Sequence, residues 1–190
     1  MKAALTGGMG CGKSFVLALF REAGWTTVDC DEIARRLLSS DASVIANVRS
    51  LFGDAYVASG GVDRKALAAL VFADIAALTQ LENVLQPRIR AEWERVLADS
   101  AGGPAIVEIP LLFEKNLEKL FDISVCVSAG AKTQLQRLAR RGVTRSDALA
   151  RMARQLPLAQ KELRAGFVIS NNGNQDFTRA QVARFIRQAH

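Results

Sequence analysis

The chain has 190 residues, 49% apolar and 23% charged, with a net charge of +6. That length suits one core with appendages rather than two independent domains, and the composition excludes a disordered chain. No apolar run is long enough for a membrane span, no signal peptide is expected because glycines break the N-terminal apolar stretch at once, and the three cysteines (Cys11, Cys30, Cys126) lack framework spacing and fit a reducing cytoplasm.

Taken in chain order, a short apolar run (Ala3, Ala4, Leu5) leads into Gly7-Gly8-Met9-Gly10-Cys11-Gly12-Lys13-Ser14. An apolar-periodic stretch (Phe15, Val16, Leu19, Phe20) follows, giving the strand–loop–helix context of a phosphate-binding loop. Its glycines let backbone N–H groups turn inward around a polyphosphate at a helix N-terminus. Lys13 is then expected at the β- and γ-phosphates, and the Ser14 hydroxyl on Mg²⁺. The chain is expected to bind a nucleoside triphosphate.

Gly24 reads as the helix C-cap, and Trp25–Asp29 as a second strand ending in carboxylates. Asp29-Cys30-Asp31 would face the ligand crevice at the carboxyl end of that strand. Asp31 reads equally as a general base or as a helix N-cap. From about Ile33 to Leu97 the period is helical, punctuated by Gly53, Gly60-Gly61 and Pro87. An interval of that length exceeds a simple crossover and predicts an inserted helical subdomain.

Ala105–Ile109 and Phe121–Val127 read as third and fourth strands. Pro110-Leu111-Leu112-Phe113-Glu114 follows the third, and Glu114 reads either as a solvated residue or as a group near Mg²⁺ or the acceptor. The helical segment Lys132–Arg164 holds nine Lys/Arg against two acids, a surplus of seven that leaves −1 for the rest of the chain. Such a segment serves the triphosphate more simply than it serves nucleic acid, because no aromatics interleave with it. Arg137 and Arg141 share one helix face, exposed or acting as a mobile clamp on phosphoryl oxygens, and Arg151 and Gln155 repeat the spacing. Phe167-Val168-Ile169 is a fifth strand, and a closing helix spans about Phe177 to Ala189 with Thr178 as N-cap. His190, the only histidine, is terminal, which excludes a Ser-His-Asp triad and a His-built metal site. Strands alternating with helices predict an α/β fold with a parallel sheet.

No Asn-Lys-x-Asp motif supports a GTPase, and strand three ends Glu108-Ile109-Pro110 instead of the acidic pair of a motor ATPase. A small-molecule kinase remains. Within enzymes the alternative is another nucleoside or nucleotide kinase; outside them, a nucleotide-dependent binding module.

The assembled pieces resemble the dephospho-coenzyme A kinase family. The resemblance rests on Leu5–Ser14, Val28–Arg35, Gly61-Val62-Asp63-Arg64 with Leu67 and Val71-Phe72, and Pro110–Glu114. It continues through Gln134…Arg137…Arg141, Arg151…Gln155-Leu156-Pro157 and Phe167-Val168-Ile169-Ser170-Asn171-Asn172-Gly173, in the family's order. It implies transfer of the ATP γ-phosphoryl to the ribose 3′-hydroxyl of dephospho-coenzyme A. It further implies a single P-loop kinase domain over 1–190: a core of 1–32, 98–131 and 165–190 around a five-stranded sheet, a substrate-binding insertion at about 33–97, and a lid at about 132–164. Gly8, Gly10, Cys11, Gly12, Lys13, Ser14 and Phe15 would hold ATP. Asp31 would be the base, with Asp29 supporting it and Lys13, Arg137 and Arg141 stabilising the transferred group. Arg64, Leu111, Glu114 and Arg151 would join Asp29 and Asp31 at the substrate, and Ser14 and Asp31 would serve Mg²⁺. The expected partner is the small-molecule substrate, without nucleic acid or membrane, on a cytoplasmic monomer or small homo-oligomer. Three residues depart from the family's pattern: Phe15 after Lys-Ser, Gln86 before Pro87, and Cys11 in the loop. A thiol beside inward N–H groups would have a lowered pKa and be sensitive to oxidants and alkylators unless ATP shields it.

Overall fold

A computed structural model describes residues 1–100 and 102–189; His190 lies outside the described residues. The chain divides into two compact units, one made of Met1–Asp29 and the chain from Leu97 onward, the other of Cys30–Val96.

The first unit is built on a five-stranded sheet whose order runs from Thr26–Asp29 through Ala105–Glu108, Lys2–Gly7 and Ile123–Ser128 to Phe167–Ser170. Its strands are β1 (Lys2–Gly7), β2 (Thr26–Asp29), β5 (Ala105–Glu108), β6 (Ile123–Ser128) and β7 (Phe167–Ser170), and every pairing is parallel. The central strands carry near-continuous apolar runs because helices cover both faces; Ala3, Ala4, Leu5, Ile106, Val107, Val125 and Val127 are all fully buried. Helix α1 (Lys13–Glu22) starts straight from the loop after β1, and α9 (Gln175–Gln188) packs beside it. Phe20 meets Trp25 and Phe185 edge-on at centroid distances of 5.1 and 5.6 Å, and Phe167 meets Phe185 at 5.1 Å. These aromatic contacts fix the two helices on the sheet, so the loop sits on a rigid base.

The basic segment is three helices, α6 (Ala131–Arg140), α7 (Arg145–Ala153) and α8 (Leu158–Arg164). Because α6 ends at Arg140, Arg141 is its C-cap, and Gln155 lies beyond the end of α7; the expected helical spacing breaks at both places. Thr178 is not an N-cap. Asn174 holds that position and accepts the Phe177 N–H at 2.9 Å, while Thr178 turns inward, fully buried.

The second unit is helical: α2 (Cys30–Ser40), α3 (Ala42–Phe52), α4 (Arg64–Ala73) and α5 (Ile75–Asp99), which runs on into the first unit. Ile33, Leu37, Val44, Val48, Leu67 and Trp93 are buried within it at helical spacing. Asp41 and Asp63 cap α3 and α4 by accepting N–H groups of their first turns. Two expectations are corrected here. Gly60-Gly61 does not merely interrupt helices: Ser59-Gly60 turns a hairpin between β3 (Val57–Ala58) and β4 (Gly61–Val62). Pro87 does not end a helix either, since α5 continues through it. Burial of Leu81, Leu85, Ile89 and Trp93 along one stripe outweighs the lost hydrogen bond.

Candidate functional site

The loop between β1 and α1 leaves the carboxyl edge of the parallel sheet, where α/β folds place ligands. Gly12 is the N-cap of α1 in the left-handed region (φ 90°, ψ 34°), and no side chain caps the helix start. With no acidic residue in its first turn, the positive end of the helix would favour an anion there. Lys13 Nζ lies 3.3 Å from the Gly8 carbonyl and 3.5 Å from that of Gly7, folded over the loop it would share with phosphates. Ser14 is exposed in the first turn, and the half-buried Phe15 ring lies under the Arg179 guanidinium at 5.8 Å. Gly8 and Gly10 are buried: a Cβ on Gly10 would come within 2.9 Å of the Gln134 carbonyl.

Cys11 corrects one expectation. Its side chain is fully buried, and Gln134 Nε2 donates to its sulfur at 3.0 Å. Burial is the dominant influence and pushes the thiol above its ordinary 9.0, against the smaller opposing pull of Gln134 and Lys13. The residue is a packed, protonated thiol, not an activated one.

Arg137 is half-buried and engaged by three carbonyls. Its Nη1 donates to Cys11 at 3.1 Å and Gly10 at 3.4 Å, and its Nη2 to Asn171 at 2.9 Å. It is held on the carbonyl side of the loop, in contrast to a freely mobile clamp; Arg141 stands exposed at the end of α6. Asn171, Gln134 and Thr178 gather with it. Asn171 Nδ2 donates to the Cys11 carbonyl at 2.8 Å, and Thr178 Oγ1 donates to Asn171 Oδ1 at 3.0 Å. Gln134 Nε2 also donates to the Ala129 carbonyl at 2.9 Å.

The segment after β5 is anchored rather than solvated. Lys161 Nζ, with 0% exposure, donates to the Pro110 carbonyl and to Glu114 Oε1, each at 2.8 Å. Glu114 Oε1 also accepts the Leu156 N–H at 2.8 Å, and Thr6 Oγ1 donates to the same Pro110 carbonyl at 3.3 Å. Glu114 thus ties Pro110–Glu114 to α8, and the solvated alternative fails. Leu111 is half-buried beside it. Arg164 pairs with Glu118 and lies 4.6 Å over the Phe113 ring. Lys161 escaped the sequence reading, because within the basic run it looks like one more solvated charge.

Of the carboxylates, Asp29 closes β2 and is half-buried, and its strand partner is the buried Glu108, which the sequence marked only as the end of the third strand. Partners in register project to the same face of the sheet. Helix α2 begins at Cys30, so the cap position falls to Asp29, and Asp31 lies exposed in the first turn; the N-cap reading of Asp31 does not hold. Arg64 is exposed at the start of α4, Arg151 is half-buried near the end of α7, and Gln86 is exposed on α5. Among the described residues no three His, Cys, Asp or Glu side chains gather as a metal cluster, and no helix is long and apolar enough to cross a membrane. A Mg²⁺ at the Ser14 hydroxyl would take most of its oxygens from phosphate and water.

Comparison with known proteins finds relatives along nearly the whole chain. The family model described as dephospho-CoA kinase matches residues 1–176. A dephospho-CoA kinase of Frankia casuarinae is 39% identical over 180 residues, covering 94% of this chain and 79% of that protein. A crystal structure from Thermus thermophilus superposes with a TM-score of 0.86 at 33% identity, covering 100% of this chain and 97% of the other. The dephospho-CoA kinase of Campylobacter jejuni superposes with a TM-score of 0.72 at 25% identity, covering 100% and 98%.

Proposed function

The chain belongs to the dephospho-CoA kinase family, and on that premise we propose that it transfers the γ-phosphoryl of ATP to the ribose 3′-hydroxyl of dephospho-CoA. The observation that carries the ATP half is the uncapped start of α1 behind a glycine loop, with Lys13 Nζ folded over its carbonyls. On ATP binding the Lys13 ammonium exchanges those carbonyls for phosphate oxygens, a stronger charge-assisted contact. Gly8 to Phe15 supply the backbone of the cradle. Ser14, with Asp31, would hold Mg²⁺, which neutralises charge on the phosphates when bound.

In this reading Asp31, exposed at the start of α2, accepts the proton of the acceptor hydroxyl, and Asp29 supports it. Arg141 supplies positive charge to the transferring group, while Arg137 acts from the carbonyl side of the loop. Residues 132–164 act as a lid that excludes water, which would otherwise take the phosphoryl group. Arg64, Leu111, Arg151 and the anchored Glu114 shape the acceptor side, and the enzyme works in the cytoplasm as a monomer or small homo-oligomer, without nucleic acid or membrane.

The test is ADP formation with dephospho-CoA, adenosine and nucleoside monophosphates as acceptors, repeated on Asp31→Asn. Turnover with dephospho-CoA above all others, and a loss of roughly 10²-fold or more in the variant, are expected. Preference for another acceptor overturns the substrate, and near wild-type turnover in Asp31→Asn overturns the base.

A further inference from the structure

A phosphate loop presents N–H groups to its anion, and each N–H is aimed by the peptide plane it belongs to. In a trans peptide the carbonyl of one residue and the N–H of the next point in opposite directions, and the described residues contain no cis peptide. Whatever grips the Cys11 carbonyl therefore aims the Gly12 N–H.

Two donors grip it. Asn171 Nδ2 donates at 2.8 Å and Arg137 Nη1 at 3.1 Å, so both lone pairs of one carbonyl are occupied from outside the loop. Asn171 is 5% exposed, and its amide has two faces that could meet the loop. The Cys11 carbonyl, which only accepts, takes Nδ2, and the Thr178 hydroxyl, 0% exposed, donates to Oδ1 at 3.0 Å and holds the amide in that orientation. The reversed amide would set an oxygen against the Cys11 carbonyl and leave the hydroxyl to find another acceptor, a costly arrangement in a buried site. Gly12 completes the fit, because a Cβ there would stand 2.3 Å from Asn171 Nδ2. Its side-chain hydrogen makes room for a protein amide as well as for the left-handed turn.

We infer that Asn171, oriented by Thr178, is a positioning residue for nucleotide binding: it holds the Cys11–Gly12 peptide so that the Gly12 N–H is turned toward the phosphates before ATP arrives. Neither side chain touches the nucleotide. The loop is preorganised, and the reorientation cost that a free glycine-rich loop would meet on binding is removed. The inference rests on ATP being the nucleotide this loop holds.

The test compares Asn171→Ala, Thr178→Val and Thr178→Ser with the wild type by equilibrium titration of a fluorescent ATP analogue, by KM for ATP and for dephospho-CoA, and by melting temperature. Asn171→Ala is expected to weaken nucleotide binding about tenfold, the scale of one buried hydrogen bond. Thr178→Val should lose a smaller factor, Thr178→Ser should restore wild-type affinity, and KM for dephospho-CoA should move less than twofold in all three. If Asn171→Ala does not fold, the Thr178 pair decides alone. Unchanged nucleotide affinity in Thr178→Val overturns the inference. So do equal losses for both substrates, or failure of Thr178→Ser to restore binding. A wild type that binds the analogue but does not phosphorylate dephospho-CoA removes the acceptor assignment and leaves the titration to judge the brace. A wild type that does not bind it removes both.

Discussion

Whether a thiol in a phosphate loop is a liability depends on its freedom to ionise. Cys11 is fully buried with a raised pKa, and Cys126, on the neighbouring strand, is pushed up to about 12, chiefly by burial. Iodoacetamide at pH 8 should modify Cys11 more slowly than a free thiol, with or without ATP, since the thiolate is the reacting form and the side chain is buried; site-resolved mass spectrometry checks this, and rapid labelling that ATP suppresses would restore the activated thiol. The pH dependence has a definite sign. Below pH 9 both folded and unfolded chains keep these protons. Between 9 and about 12 the unfolded chain releases the Cys126 proton while the folded chain retains it, so this residue makes stability fall as pH rises through that window. At this scale the sequence showed the thiol's backbone setting but not its burial, because Gln134 and the sheet that enclose it lie far along the chain.

The element with the largest hidden role is α8. Its Lys161 is fully enclosed and joins Pro110 to Glu114, while the Glu114 side chain keeps 18% exposure. Removing one partner of such a pair strands the other in a poorly solvated place. Lys161→Met should cost about 3 kcal/mol, the low end of the range for buried pairs because Glu114 is partly solvated. That corresponds to a melting temperature lower by roughly 6–12 °C. The double variant Lys161→Met/Glu114→Gln should recover part of the loss, and calorimetry of both checks the coupling. The neighbouring elements show what a sequence discloses. The strands and α1 were legible because near-continuous apolar runs, the glycines between them and the helical spacing of Val16, Leu19 and Phe20 are all local signals. The hairpin at Val57–Val62 was not, since two-residue strands leave no period to read. Thr178 looked like a cap because caps are local, yet its partner is Asn171, and Asn174 was the better cap. The loop was plain in the sequence. Of the residues that brace it from behind, Gln134 and Asn171 were visible only as family motifs without a role, while Arg137 read as a group for the phosphates and Thr178 as a cap.

For the molecule as a whole, the basic surplus of residues 132–164 has two destinations. Lys161 and Arg164 neutralise Glu114 and Glu118 inside the first unit, whereas Lys132, Arg140, Arg141 and Arg145 remain exposed. The exposed group belongs to the same unit as the loop and raises the local concentration of a polyanion. Raising ionic strength from 0.05 to 0.3 M should therefore increase KM for ATP by about threefold, since salt shortens the reach of exposed charges. A flat response would leave the surplus with its internal pairs alone. The hydrogen bond from Asn171 to Cys11 joins residues 160 positions apart. During synthesis the brace follows the phosphate loop out of the ribosome only after roughly 8–32 s of further translation. A nascent chain released before β7 would carry the whole glycine motif and still lack the residue that sets its shape, so a truncated product is poorly equipped to draw nucleotide from the cell.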